Sequence, residues 1–110
     1  MRVKVIVEGA NGPVMSGGDR VLLERGIPVI PDILANAGGV TVSYYEWVQN
    51  GRNESWDLPE VEDRLQKAMT RAYQRVERFA TEHDCDRRVA AYALALERLL
   101  RVYEQRGIFP

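Results

Sequence analysis

"PDILANAGGVTVSYYEWVQN", residues 31–50, runs from the end of a β-branched segment into an amphipathic stretch, with Gly38 and Gly39 at the join. The spacing of apolar residues after Val40 is helical, so the pattern predicts a helix that begins with paired glycines. Each glycine in a helix costs about 1 kcal/mol relative to alanine, because it loses more backbone freedom on folding. Something at this join is expected to compensate for that cost.

Two short β-branched runs precede this stretch and predict two strands. The first covers Val3–Val7 and ends in a turn at Glu8–Pro13, and the second covers Ile27–Ile30. Between them, Asp19–Arg25 predicts a short helix with Gly26 as its stop. A connection of this length that contains a helix suits a parallel, right-handed crossover.

The rest of the sequence predicts long helices. Asp57 followed by Glu60 is a helix N-cap with a capping-box partner. Apolar residues then recur every three or four positions over residues 61–80 and again over residues 89–103, which indicates two amphipathic helices. The last helix is predicted to end at Gly107 in a Schellman-type motif, in which Ile108 is the next residue.

This pattern predicts an α/β fold that the chain does not complete. Two parallel strands do not make an independent sheet, since parallel strands are normally flanked by neighbours and covered on both faces. The Gly-x-Gly-x-x-Gly turn of a dinucleotide-binding domain is missing, and so is a P-loop. We therefore expect one incomplete domain whose earlier strands lie upstream in a longer polypeptide or on another copy.

Composition excludes several classes of partner. With 15 basic and 16 acidic residues and a net charge of −1, the chain has no excess positive charge for nucleic acid or an anionic membrane. No apolar run is long enough to span a bilayer, and residues 1–7 do not resemble a signal peptide. The single Cys85 excludes an internal disulfide and suits a reducing compartment. These features predict a cytoplasmic protein.

The turn after the first strand is one candidate binding site. In open α/β sheets, ligands bind beyond the carboxyl ends of the strands. Gly9 and Gly12 would let a cofactor approach the backbone, and Asn11 offers an amide donor and acceptor. An ordinary tight turn explains the same residues equally well.

The helix after the second strand is the other candidate. Free N–H groups near Ala37–Gly39 would donate hydrogen bonds to a carboxylate or phosphate oxygen, and one helical stripe contains Asn36, Val40, Ser43 and Trp47. That stripe suits a small substrate that carries a carboxylate. The alternative is structural: Asn36 caps the helix and Ser43 bonds back to an earlier carbonyl group. His83 is the only histidine, so neither a metal site nor a catalytic triad is predicted.

These residues resemble the glutamate dehydrogenase family. The matching segments are "VEGANGP" at 7–13, the opening stretch, "AAYALALERL" at 90–99 and "RGIFP" at 106–110, so the resemblance covers essentially all 110 residues. Leucine, phenylalanine and valine dehydrogenases share the Asn-Ala-Gly-Gly-Val segment. The Gly12-Pro13 turn, Ser43 and "EWVQN" look like the glutamate branch.

The resemblance implies a fold and a function. Residues 1–50 would be the C-terminal part of a Rossmann-like dinucleotide-binding domain, and residues 51–110 a helical segment packed on it. The implied reaction is reversible oxidative deamination of L-glutamate to 2-oxoglutarate and ammonia, with NAD or NADP as cofactor, in a homo-oligomer. The implied cofactor contacts are Gly9, Ala10, Asn11, Asn36, Ala37 and Gly38. The implied substrate contacts are Val40 and Ser43, with Ser43 bonding the side-chain carboxylate.

The resemblance also implies what this chain lacks. The family's catalytic lysine and aspartate and its dinucleotide fingerprint precede the matching region, so no catalytic residue is assigned here. Val14–Gly18 departs from the family's usual Thr-Thr-Pro stretch, which weakens the implied local cofactor contacts. We expect the chain to be inactive alone and to act with the remainder of the enzyme chain. A stand-alone helical protein-interaction module is the alternative function.

Overall fold

A computed structural model describes residues 3–107, in which helices predominate. The elements, in chain order, are β1 (Ile6–Val7), α1 (Ser16–Glu24), β2 (Val29–Ile30), α2 (Asp32–Ala35), α3 (Ala37–Arg52), α4 (Leu58–Glu82) and α5 (Arg87–Arg106). The two strands pair in parallel, with Ile6 opposite Val29 and Val7 opposite Ile30. The predicted α/β class is therefore confirmed as two parallel strands separated by a helix and followed by long helices.

The strands are shorter than the β-branched runs predicted. Only two residues of each run are paired, in a two-stranded sheet. A strand is held by ladder bonds to its neighbours, and here each strand has one neighbour among the described residues. Backbone bonds from Ile6 to Pro28 and from Glu8 to Ile30 extend the contact slightly at both ends.

The stretch that opens at Pro31 becomes helical earlier than expected. Residues 32–35 form α2, and after Asn36 the long helix α3 starts at Ala37, one residue before the predicted glycine pair. The glycine pair therefore lies inside the first turn of α3. The backbone of Asn36, with φ −97° and ψ 5°, interrupts what would otherwise be one helix from residue 32 to residue 52.

The N-cap predicted at Asp57 and the stop predicted at Gly107 are both present, and Asp86 is a further N-cap. The Asp57 side chain accepts a hydrogen bond of 2.9 Å from the backbone N–H of Glu60 at the start of α4. Asp86 does the same for Val89 at the start of α5. Gly107 has φ +75° and donates to the Tyr103 carbonyl group, while Ile108, the next residue of the expected stop, lies outside the described residues.

The core is small and lies where α2, α4 and α5 meet. Its buried members are Leu34, Val76, Ala90 and Ala91, and Cys85 packs against them as structural filler. Helix α5 therefore turns an alanine face inward. The larger apolar residues of the amphipathic helix predicted over residues 89–103, such as Leu96 and Leu100, are mostly exposed.

The described chain is more extended than an independent domain of its length. Its radius of gyration is 16.8 Å, whereas about 13 Å is typical of a compact domain of 110 residues. Large apolar side chains on α3 and α5 are exposed. Over residues 3–107, no helix has the length and apolar character needed to cross a membrane.

Candidate functional site

The two predicted turns meet at one edge of the sheet. The side-chain amide of Asn36, at the join of α2 and α3, donates a hydrogen bond of 2.7 Å to the side-chain oxygen of Asn11, in the turn after β1. Both side chains are exposed. Because β1 and β2 are parallel, both turns follow carboxyl ends of strands, which is where open α/β sheets bind ligands.

The first turn of α3 presents backbone donors at this edge. Among the backbone bonds of residues 3–107 that lie outside helices and strands, none is donated by Ala37, Gly38 or Gly39. The first N–H groups of a helix have no acceptor within it, so these three groups are available to an anionic or carbonyl oxygen. The N–H groups of the predicted donor set therefore lie in the first turn of α3.

The glycines leave room around these donors. A Cβ atom added at Gly9 or Gly39 would meet no described atom within 4 Å, and one added at Gly38 would lie 3.9 Å from Cδ1 of Leu65 on α4. Ala10 is exposed and Ala37 is half-buried. Packing within the described chain thus requires glycine at none of these positions, and open space lies over Gly39.

The stripe of Asn36, Val40, Ser43 and Trp47 continues from this edge along α3. All four side chains are exposed, and Val40 and Trp47 are each 70% exposed. Trp47 also stacks on Tyr44, with ring centroids 5.9 Å apart. The stripe therefore forms an open surface beside the free N–H groups, with one hydroxyl group and apolar side chains around it.

The structural alternative for Asn36 and Ser43 is wrong. The Asn36 side chain makes no capping bond to α3, and its amide nitrogen donates instead to Asn11. The helix hydroxyl that bonds back to an earlier carbonyl group is that of Thr41, which donates to Ala37 at 2.8 Å. Within residues 3–107, Ser43 makes no such bond, so its hydroxyl faces solvent.

Sequence reasoning missed a cluster of charged side chains directly behind the two turns. The guanidinium of Arg88, in the first turn of α5, contacts the carboxylates of Glu8, Asp19 and Asp32. It bonds both oxygens of Glu8, at 2.7 and 2.9 Å, and Asp19 at 3.0 Å. We call these four residues the Arg88 cluster. No sequence pattern identifies Arg88, because its partners lie at least 56 residues away.

The cluster also binds backbone groups of the turns. Asp32 accepts hydrogen bonds from the N–H groups of Gly12, at 2.7 Å, and Ile33, at 2.8 Å. These bonds, with the Gly12 bond as the largest contribution, hold the pKa of the Asp32 carboxyl below its ordinary value. The lowered pKa favours folding above the unfolded-state pKa, and the contribution is lost as pH falls through the lower folded-state pKa.

Other candidate groups contribute no site. His83 ends α4 and packs against Phe79, with ring centroids 4.1 Å apart. Across residues 3–107, no group of three or more histidine, cysteine, aspartate or glutamate side chains is arranged to hold a metal ion. The exposed polar side chains at the two turns are the amides of Asn11 and Asn36, which can form hydrogen bonds to a ligand.

The chain matches a known enzyme family along its length. The model of the glutamate/leucine/phenylalanine/valine dehydrogenase family matches residues 1–107. A glutamate dehydrogenase of Thermotoga maritima is 48% identical over all 110 residues, which make up 26% of that protein. An NAD-specific glutamate dehydrogenase of Halobacterium salinarum is 47% identical over 106 residues, or 96% of this chain and 24% of the relative.

Solved structures match to a similar extent. The glutamate dehydrogenase of Peptoniphilus asaccharolyticus superposes with a TM-score of 0.93 and 42% identity, over 99% of this chain and 28% of that one. A hetero-hexameric glutamate dehydrogenase of Thermus thermophilus, in a leucine-bound form, superposes with a TM-score of 0.92 and 37% identity. The match covers 97% of this chain and 26% of that one. The chain therefore spans about a quarter of the length of the proteins it matches.

Proposed function

The chain belongs to the glutamate/leucine/phenylalanine/valine dehydrogenase family, and from that membership we propose that it is the C-terminal segment of an NAD- or NADP-dependent glutamate dehydrogenase. The observation that carries the proposal is the 2.7 Å bond between Asn11 and Asn36. It joins two turns at the carboxyl ends of parallel strands. Glutamate dehydrogenases that match the whole chain support the glutamate branch of the family.

Within the whole enzyme, these turns would hold the nicotinamide cofactor. Asn11 and Asn36 supply amide groups, while Gly9, Ala10, Ala37 and Gly38 shape the surface around them. The free N–H groups and the open space over Gly39 fit a ligand in contact with the backbone. A bound nicotinamide cofactor would supply the acceptor for the substrate's hydride, and the residues of these turns would position it. The NAD-specific relative supports a nicotinamide cofactor without separating NAD from NADP.

The exposed stripe on α3 would recognise the substrate. Val40 offers apolar contact to the methylene groups of L-glutamate, and the Ser43 hydroxyl is free to donate to its side-chain carboxylate. The same contacts serve 2-oxoglutarate in the reverse direction. A hydrogen bond to a charged group is stronger than one between neutral groups, so a single hydroxyl contributes measurably to affinity.

The remainder of the enzyme would supply the missing parts. We propose that residues 1–50 complete a Rossmann-like domain and that residues 51–110 pack on it, with the earlier strands provided by the rest of the chain. The exposed apolar faces of α3 and α5 are surfaces for that remainder. Oligomeric assembly, as in the hetero-hexameric neighbour, is part of this proposal, with identical subunits as its simplest form. The cytoplasm is the proposed compartment.

A chimeric enzyme tests the proposal directly. Residues 1–110 would replace the matching segment of the Thermotoga maritima enzyme, and glutamate oxidation would be followed by the absorbance of reduced NAD and NADP. We expect the chimera to be active and the 110-residue chain alone to show no measurable turnover, because the resemblance implies that the family's catalytic lysine and aspartate lie in the remainder of the enzyme.

Two outcomes would contradict this expectation. A chimera that folds and assembles but does not oxidise glutamate would reject the assignment to glutamate dehydrogenase. Turnover by the 110-residue chain alone would reject its dependence on the remainder. If the isolated chain instead captures an unrelated protein through α5 and the chimera is inactive, the interaction-module alternative replaces the proposal.

Replacing Ser43 with alanine tests the substrate surface. In the chimera, Ser43→Ala is expected to raise the KM for glutamate about tenfold, the equivalent of roughly 1–2 kcal/mol for one hydrogen bond to a charged group. Steady-state kinetics would measure it. Thr41→Val is the matched control, because the Thr41 hydroxyl is occupied by the Ala37 carbonyl group. An unchanged KM for Ser43→Ala would remove Ser43 from the substrate site.

A further inference from the structure

The bond between Asn11 and Asn36 does not by itself hold the two turns in place. Both side chains are exposed, so water competes for each partner and the net contribution of the bond is small. The geometry of the pair must therefore come from the groups behind it. The turn after β1 has backbone bonds that identify those groups.

The two ends of that turn are both tied to Asp32. Before the turn, the Glu8 carboxylate accepts the backbone N–H of Asp32 at 2.9 Å. After Asn11, the backbone N–H of Gly12 donates to the Asp32 carboxylate at 2.7 Å. Gly12 has φ +57°, a left-handed conformation that favours glycine. Asn11 therefore lies in a short loop whose two ends are anchored on one residue.

Asn36 is tied to the same residue. Its backbone N–H donates to the Asp32 carbonyl group at 3.0 Å through the single turn of α2. Asp32 thus sets the position of both members of the pair, one through its carboxylate and the other through its carbonyl group. A shift of Asp32 would move Asn11 and Asn36 relative to each other.

Arg88 fixes Asp32 and Glu8 from the far end of the chain. The Glu8 residue is 2% exposed, and a buried carboxylate is retained in its charged form only when a cation and hydrogen bonds compensate for lost water. Arg88 provides the cation, at 2.7 Å. Its planar guanidinium reaches three carboxylates at once, which a lysine ammonium on its flexible stem cannot reproduce. The first turn of a helix disfavours a cation, so the carboxylates also hold Arg88 in place.

From this arrangement we infer that Arg88 is a positioning residue, which acts through Glu8 and Asp32 to set the geometry of the Asn11–Asn36 pair at the cofactor edge. The inference rests on the proposed function for the identity of the ligand, a nicotinamide dinucleotide. The part of the inference that concerns the position of the Asn11–Asn36 pair can be tested on the 110-residue chain itself. Arg88 touches neither turn's ligand-facing side chains, so its effect passes through hydrogen bonds of the backbone.

Amide hydrogen exchange, followed by NMR on the 110-residue chain, tests the inference. Arg88→Gln is expected to speed exchange of the Gly12 N–H about tenfold or more and to shift the side-chain amide signals of Asn11 and Asn36, while amides in the middle of α4 keep their rates. Arg87→Gln is the matched control, because the neighbouring Arg87 pairs with Glu77 on α4 and has no contact with the turns. Arg88→Lys is expected to restore part of the protection.

A double variant guards against simple unfolding. Glu8→Gln with Arg88→Gln removes the most buried carboxylate together with its cation, while Asp32 keeps its bonds from the N–H groups of Gly12 and Ile33, and we expect a folded chain in which Gly12 still exchanges faster. Unchanged Gly12 exchange in both Arg88 variants would overturn the inference. The inference would also be overturned if Arg87→Gln sped Gly12 exchange as much as Arg88→Gln does. Amide exchange of Gly12 and Asp32 in the wild-type chain at the rates of an unfolded chain would overturn it too. An inactive chimera would reject the proposed function and leave these exchange results standing.

Discussion

Replacing Arg88 with methionine is expected to lower the free energy of unfolding of the chain by about 3–5 kcal/mol, the cost typical of breaking a buried ion pair. The loss arises because the Glu8 carboxylate, which is 2% exposed, would remain buried without its cation. Methionine keeps most of the apolar volume of the arginine side chain. The lost free energy of unfolding therefore reflects the missing charge and hydrogen bonds rather than a cavity. Urea denaturation followed by circular dichroism would give the value.

The neighbouring arginine is the control for this measurement. Arg87 and Glu77 form a pair that is about a third exposed, so Arg87→Met is expected to cost about 1 kcal/mol or less. Glu8→Gln combined with Arg88→Met should recover part of the loss, because the most buried of the three carboxylates no longer carries an unpaired charge. A stabilising osmolyte would keep a weakened variant within the measurable range. Equal losses for Arg87→Met and Arg88→Met would show that Arg88 has no special role.

Replacing Gly39 with alanine is expected to separate stability from function. In the 110-residue chain, Gly39→Ala should raise the free energy of unfolding by about 0.5–1 kcal/mol, since alanine favours the helix and its Cβ meets no described atom within 4 Å. In the chimera, the same methyl group would occupy space proposed for the cofactor. Crowding of this kind typically costs 1–3 kcal/mol, so kcat/KM for the cofactor should fall by up to about 100-fold.

Gly51 provides the matched control for this second prediction. It lies in the last turn of the same helix, and a Cβ there also meets no described atom within 4 Å. Gly51→Ala should therefore stabilise α3 by a few tenths of a kcal/mol and leave kcat/KM unchanged. Steady-state kinetics with varied cofactor concentration would compare the two variants. A Gly39→Ala chimera as active as the unmodified chimera would exclude close approach of the cofactor to this glycine.

The two glycines at the join illustrate how far local reasoning reaches. Because glycines destabilise a helix, the pair indicated that a ligand approaches the backbone there, and the open space over Gly39 is consistent with that interpretation. The pattern predicts the start of α3 within one residue, but it does not reveal that residues 32–35 form a helical turn of their own. Similarly, the apolar periodicity of α5 identified a helix. It did not identify which face of that helix is buried in the core of the described residues. The buried face consists of small residues such as Ala90 and Ala91, which carry a weak pattern signal.

The sequence by itself determined the features that depend on neighbours along the chain: the two turns, the caps at Asp57 and Gly107, the long helices and the family resemblance. These features follow from backbone preferences and hydrogen bonds that span a few residues. The tertiary structure alone decided that Asn36 bonds Asn11 rather than its own helix, and that Arg88 anchors residues at positions 8 and 32. Such contacts join side chains that are 25 to 80 residues apart, and no local periodicity relates residues at those distances until the chain has folded.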